Sequence, residues 1–125
     1  MKYNLAFKYR IYPNNEQELL INKTFGCVRF VYNTILYIAN KIYEETGKNK
    51  IVTPASLKSE NQFLKEVDSL ALSNAQLNVK RSFANFFQKR AKFPRFKSKK
   101  NNVKSYTTNC VNNSIRIINI WSCQN

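Results

Sequence analysis

The residues with the strongest chemical character in this chain are cations, and they cluster. Lys89, Arg90, Lys92, Arg95, Lys97, Lys99 and Lys100 fall within twelve positions, with Phe93 and Phe96 set among them and no acid in the run. Ammonium and guanidinium groups bind phosphate oxygens, and aromatic faces stack on bases, so the run suits a nucleic-acid strand. The alternative is a solvated basic loop whose two phenylalanines turn into a core. Just upstream, Phe83, Phe86 and Phe87 follow helical spacing and are expected in the core.

The whole chain carries the same bias. It holds 21 Lys plus Arg against 7 Asp plus Glu, a formal charge of +14. All seven acids lie at or before Asp68. The first 68 residues therefore hold 10 basic and 7 acidic groups, and the remaining 57 hold 11 basic groups and none that is acidic. Such asymmetry points to a polyanionic partner. An anionic membrane surface would attract the same charge, but no apolar run approaches the ~20 residues of a spanning helix. With 43 % hydrophobic residues the composition is that of a folded chain, and 125 residues fit one domain or one compact piece of a larger protein.

Other chemistries lack their residues. There is no histidine, which removes the commonest general base and metal ligand. Cys27, Cys110 and Cys123 are odd in number and widely spaced, forming neither a disulfide framework nor a zinc ligand set. They are expected as reduced thiols of a cytoplasmic protein. No apolar signal-peptide core follows Met1. Without an acid after Asp68, the basic half cannot supply the carboxylates of two-metal phosphodiester chemistry. No catalytic residue, metal, cofactor or small-molecule substrate is expected; the expected partner is nucleic acid.

Several elements must position these groups. Residues 2–12 alternate, with Tyr3, Leu5, Phe7, Tyr9 and Ile11 on one face, which predicts a strand. Lys8 and Arg10 on its other face serve either an edge strand's solubility or phosphate contact. Asn15 with Glu18 reads as a capping box opening a short helix that carries Leu19, Leu20 and Ile21. Gly26 then marks a turn or a close helix contact. From Cys27 on, Val28, Val31, Ile35, Ile38 and Ile42 form one helical stripe, closed by Gly47. Arg29 lies off that stripe, free to reach an anion. Asn33 lies beside it, to contact a base or a neighbouring backbone group.

Thr53-Pro54 opens a third helix and Asp68 or Ser69 a fourth. The fourth carries Leu72, Gln76, Val79, Phe83 and Phe86, a stripe expected against the first. Residues 105–108 read as extended and 114–120 as a second alternating strand. Tyr106 either stacks on a base or joins the core. The helix pair meeting at Gly26 is a weak helix-turn-helix signature. The fold class expected is α+β, mainly helical. A helix-turn-helix-like bundle, about 15–92, is inserted between a few strands of a small wedge or half-barrel formed by 2–12 and 93–120.

Ordered blocks also resemble a known family. They are Tyr9-Arg-Ile-Tyr-Pro13, Thr24-Phe-Gly-Cys-Val-Arg-Phe-Val-Tyr-Asn33, Leu64-Lys-Glu-Val-Asp-Ser69, Ser82-Phe-Ala-Asn-Phe-Phe87, and Phe93-Pro-Arg-Phe-Lys-Ser-Lys-Lys100 followed by Ser105-Tyr-Thr-Thr108. Together they resemble the start of the TnpB, or OrfB, proteins of bacterial insertion sequences, over roughly residues 3 to 120. The resemblance implies a transposase-type protein of DNA transposition, whose full-length relatives are RNA-guided DNA endonucleases. In these the N-terminal part holds guide RNA and reads a short motif beside the DNA target, and a RuvC-like domain further along cleaves through metal-binding carboxylates. The 125 residues stop before such a domain. The expectation is thus a nucleic-acid-binding, non-catalytic N-terminal fragment; the alternatives are a product without function or a competitor for the guide RNA of an intact copy. The nucleic-acid contacts expected are Lys8, Arg10, Arg29, Asn33, Arg95, Lys97, Lys99, Lys100 and Tyr106.

Overall fold

The computed structural model describes residues 2–101 and 103–116. Its centre is α1 (Asn15–Thr46), a single helix of 32 residues and about 48 Å. Asn14 caps it. The Asn14 side chain accepts from the Gln17 N–H at 2.9 Å, and the Asn14 N–H donates to Gln17 Oε1 at 2.9 Å. The capping box therefore starts one residue before the expected Asn15–Glu18 pair. At the far end Gly47 takes φ +70°, a conformation open to glycine, and its N–H bonds the Tyr43 carbonyl.

Gly26 neither turns the chain nor brings a neighbour close. It lies inside α1, and a Cβ built there would meet nothing within 4 Å. Thr24, Cys27, Val28, Val31 and Ile35 continue one buried stripe across it. A single helical glycine costs about 1 kcal/mol, less than that continuous packing contributes.

A short α2 (Pro54–Lys58) and a 3-10 turn (Gln62–Glu66) lead to α3 (Ser69–Phe87). Asp68 caps α3 by accepting from the Leu70 N–H at 3.0 Å. Lys89, at φ 60°, ends the helical path, and the Arg90 N–H reaches back to the Asn85 carbonyl at 2.8 Å. The stop thus precedes Pro94 by several residues.

The two long helices pack along their apolar stripes. Lys23 pairs with Glu66 just before α3 begins, Tyr32 Oη lies 3.1 Å from Ser82 Oγ, and Tyr43 and Phe86, near the ends of the two helices, line one hollow. Later positions of α1 thus meet later positions of α3, so the helices run in the same sense. Residues 47–68 carry the chain back, with Leu57 and Leu64 buried on the way. Gln76 Nε2 donates to the Val52 carbonyl at 3.1 Å and fastens that crossover to α3. Val31, Ile35, Leu36, Leu64, Leu72 and Val79 are fully buried. Each such side chain contributes about 1.5–3 kcal/mol relative to exposure.

The α+β expectation is corrected here. The described residues contain three α-helices and a 3-10 turn, and no strand, wedge or barrel. Residues 2–14 are irregular, and Tyr3, Leu5, Phe7, Tyr9 and Ile11 are each at least 70 % exposed. Alternation supplies a strand's side chains but not the neighbour that must take its N–H and C=O groups, and a lone strand is not stable. Residues 105–108 form no ladder either. The candidate strand 114–120 lies, from 117 on, outside the described residues.

Candidate nucleic-acid interface

Beyond α3 the chain folds back along α1. Phe93 meets the rings of Phe83 and Phe86 edge-on, with centroids 5.8 and 5.1 Å away. Pro94 is buried, and this pair of contacts turns the arm toward α1. Asn33 then fixes it. Its Oδ1 accepts from the Lys97 N–H at 2.7 Å, and its Nδ2 donates to the Lys97 carbonyl at 2.9 Å. Lower down, Tyr106 meets Phe25 edge-on at 5.4 Å, and Thr108 bonds Asp68. The basic run is therefore laid on the helix at several points.

This path builds a concave site. A cavity of about 250 Å³ opens between Phe25, Val28 and Arg29 of α1 and the loop from Lys97 to Ser105. Three cations line it, Arg29, Lys97 and Lys104, and no acid does. Ser98 and Asn101 shape the loop, accepting from the N–H groups of Lys100 and Val103, two residues on in each case. Lys97 Nζ lies 4.6 Å from the centre of the Tyr32 ring, whose electron-rich face supports the ammonium. Arg29 is half-buried, so its fork of donors is partly withdrawn from water and suited to two oxygens of one anion.

The expected contacts fall into separate groups. Arg29 and Lys97, 68 positions apart in sequence, come together at the cavity. Asn33 lies just above it with both ends of its amide engaged by backbone. Tyr106 is half-buried against the core with Phe25 on its edge. Arg95, Lys99 and Lys100 are exposed along the arm and do not line the cavity. Lys8 and Arg10 stay on the exposed segment before α1, Arg10 over Tyr12 at 5.9 Å. Of the three aromatics assigned to the core, Phe83 is buried, Phe86 half-buried and Phe87 55 % exposed.

Lys104 was missed, as were the polar groups of Ser98, Asn101 and Ser105. Lys104 belongs to the acid-free half, but only the fold-back places it opposite Arg29. Nothing in its local sequence separates it from the other lysines.

Among the described residues no helix is long and apolar enough to cross a membrane. The family described as "Helix-turn-helix domain", of the OrfB and IS605 type, matches residues 1–48. Those residues hold α1 as one unbroken helix, and the helix it packs on is α3. The chain is 42 % identical over 102 residues to a protein of Streptomyces pristinaespiralis named "Putative RNA-guided DNA endonuclease", covering 76 % of this chain and 25 % of that one. It is 34 % identical over 111 residues to "Putative RNA-guided DNA endonuclease InsQ" of Escherichia coli K12, covering 82 % and 27 %. Against "Virulence protein VsdF" of Salmonella dublin the identity is 38 % over 110 residues, covering 75 % of this chain and 92 % of VsdF. The chain thus spans about a quarter of the length of the two relatives named as endonucleases.

Proposed function

We propose that this chain, which belongs to the TnpB/OrfB family of insertion-sequence proteins, grips the sugar–phosphate backbone of nucleic acid and leaves cleavage to other machinery. The observation that carries the reading is the convergence of Arg29, Lys97 and Lys104 on one acid-free cavity. Cations brought together by the fold repel one another and are relieved by an anion between them. The remaining basic side chains of the arm, Arg95, Lys99 and Lys100, extend the same field along the surface. Arms of this kind position a nucleic acid without reading its sequence.

The binding role is also supported by where the acids are. Asp68 caps α3 and bonds Thr108, and Glu66 pairs with Lys23. Among the described residues no three acidic or thiol groups gather as a metal site would require. In this reading the arm holds the guide RNA or the DNA of a transposon-encoded endonuclease, with sequence recognition left to base pairing.

A salt titration tests it. The purified chain is bound to duplex DNA and to structured RNA in parallel. With three to four phosphates neutralised, log K falls against log salt with a slope of about −2.7 to −3.6 on the duplex. Added magnesium is expected to produce no cleavage. Binding that is flat with salt would overturn the backbone-grip reading, and magnesium-dependent cutting by the chain alone would overturn the division of labour.

A further inference from the structure

The second concave feature of the molecule differs in character. Where Ala39–Glu44 of α1 faces the last turn of α3, the structure has a hollow of about 400 Å³ closed by Phe93 of the arm. Its wall is aromatic. Phe86 and Phe87 tilt against each other at 5.4 Å, and Phe93 stands at 86° to Phe86. Yet Tyr43, Phe87 and Phe93 remain 56 %, 55 % and 48 % exposed, so wide ring surface lies unpacked on one small area. Three polar groups line the same hollow: Asn40, Asn49 and Glu44. Neither amide is hydrogen-bonded by another described residue.

We propose that this hollow takes one unstacked nucleobase of the strand whose phosphates the arm holds. The inference rests on the nucleic-acid reading above and adds a second, base-binding subsite to it. The first argument is the match of surfaces. A base offers two π-faces and a polar edge; the hollow offers ring surface at Phe87 and Phe93, and donors and acceptors at Asn40, Asn49 and Glu44.

The second argument is continuity. Phe93 closes the hollow and Lys97 lines the cationic cavity four residues on, an extended span of at most about 14 Å. Lys92 and Arg95 flank Phe93 and are exposed. A strand with a phosphate at Arg29 and Lys97 is therefore within reach of the hollow, where Lys92 and Arg95 stand beside Phe93 to take a nucleotide's phosphate and Glu44 is left to the polar edge of the base. Paired bases are held in their stack, so the subsite selects looped or single-stranded nucleic acid.

The test separates bases from phosphates. Wild type, Phe87→Ala and Phe87→Trp are titrated with 12-nucleotide single strands of RNA and of DNA, and with an abasic sugar–phosphate strand of the same length and charge. Wild type is expected to bind the base-bearing strands more tightly than the abasic one. Phe87→Ala should weaken the base-bearing strands by about 5- to 100-fold and leave the abasic strand and the salt slopes unchanged, and Phe87→Trp should restore binding. The RNA and DNA arms tell which strand supplies the base.

Equal weakening of both kinds of strand, or of neither, would overturn the subsite. A wild-type chain that binds no strand, abasic included, would instead overturn the nucleic-acid reading. Phe87 is half-exposed, so its loss should spare the core. If circular dichroism shows otherwise, Phe87→Leu keeps an apolar side chain without the ring and carries the same expectations.

Discussion

Replacing Asn33 with alanine probes how the arm is built into its binding shape. The side chain makes two hydrogen bonds to the backbone of Lys97, one in each direction, at 2.7 and 2.9 Å. A hydrogen bond of this kind contributes about 0.5–1.5 kcal/mol net. Asn33 is only half-buried, so water replaces part of what is lost, and the expected destabilisation is about 1 kcal/mol. For a chain of this length that lowers the thermal midpoint by about 3–5 °C.

Binding should weaken as well, because the ligand must restore the arm to its place, but by no more than the stability lost, at most about five-fold. The salt slope should not move, since no cation is removed. Asn33→Asp keeps the acceptor for the Lys97 N–H, loses the donor to its carbonyl, and should fall between wild type and alanine. Thermal melts paired with salt titrations of all three proteins make the measurement. Weakened binding with an unchanged melt would refute the reasoning, because Asn33 would then be touching the ligand and not the arm. A slope reduced by a full contact would refute it equally.

Single alanine substitutions of Arg29, Lys97 and Lys104 should each weaken binding to every sequence alike and reduce the duplex salt slope by about 0.9 per lost phosphate contact. Gly26→Ala should stabilise the chain by about 0.5–1 kcal/mol in urea unfolding, since α1 continues through it and the added methyl meets nothing. Leu72→Ala, at a fully buried position of α3, should cost about 2–5 kcal/mol in the same assay. Cys110 is exposed and should be alkylated promptly, whereas buried Cys27 should react only on unfolding, as peptide mass mapping would show. Burial pushes the Cys27 thiol up, against a smaller opposite pull from Lys23. The protonated thiol's advantage is thus present below the ordinary thiol range and is lost as pH rises through the raised value. The urea midpoint should fall more between pH 8 and pH 10 in wild type than in Cys27→Ala.

Helical periodicity was the most legible signal. The Val28–Ile42 and Leu72–Phe86 stripes face each other as their spacing implies, and Gly47, Pro54 and Asp68 mark the boundaries expected of them. Gly26 misled because a breaker's cost is small beside the burial of the stripe that crosses it. The N-terminal alternation misled for a different reason: a strand is a property of two segments, and its partner cannot be read from one. At the site, Arg29 and Lys97 were legible as cations but not as neighbours. Their meeting depends on the local Phe93 turn and on the Asn33 clamp, a contact across 64 positions.

The parallel alignment of α1 and α3 has a consequence for how the protein comes into being. A hairpin of antiparallel helices lets each helix dock on the one just made. Here α1 ends at Thr46 and its main partner is complete only at Phe87, with the crossover between them. At roughly 5–20 residues per second, the apolar stripe of α1 leaves the ribosome some 2–8 s before α3 can cover it. Loop closure over such a separation also slows folding beyond what helical content alone would suggest. During synthesis the chain is therefore a natural client for whatever shields an amphipathic helix waiting for its mate.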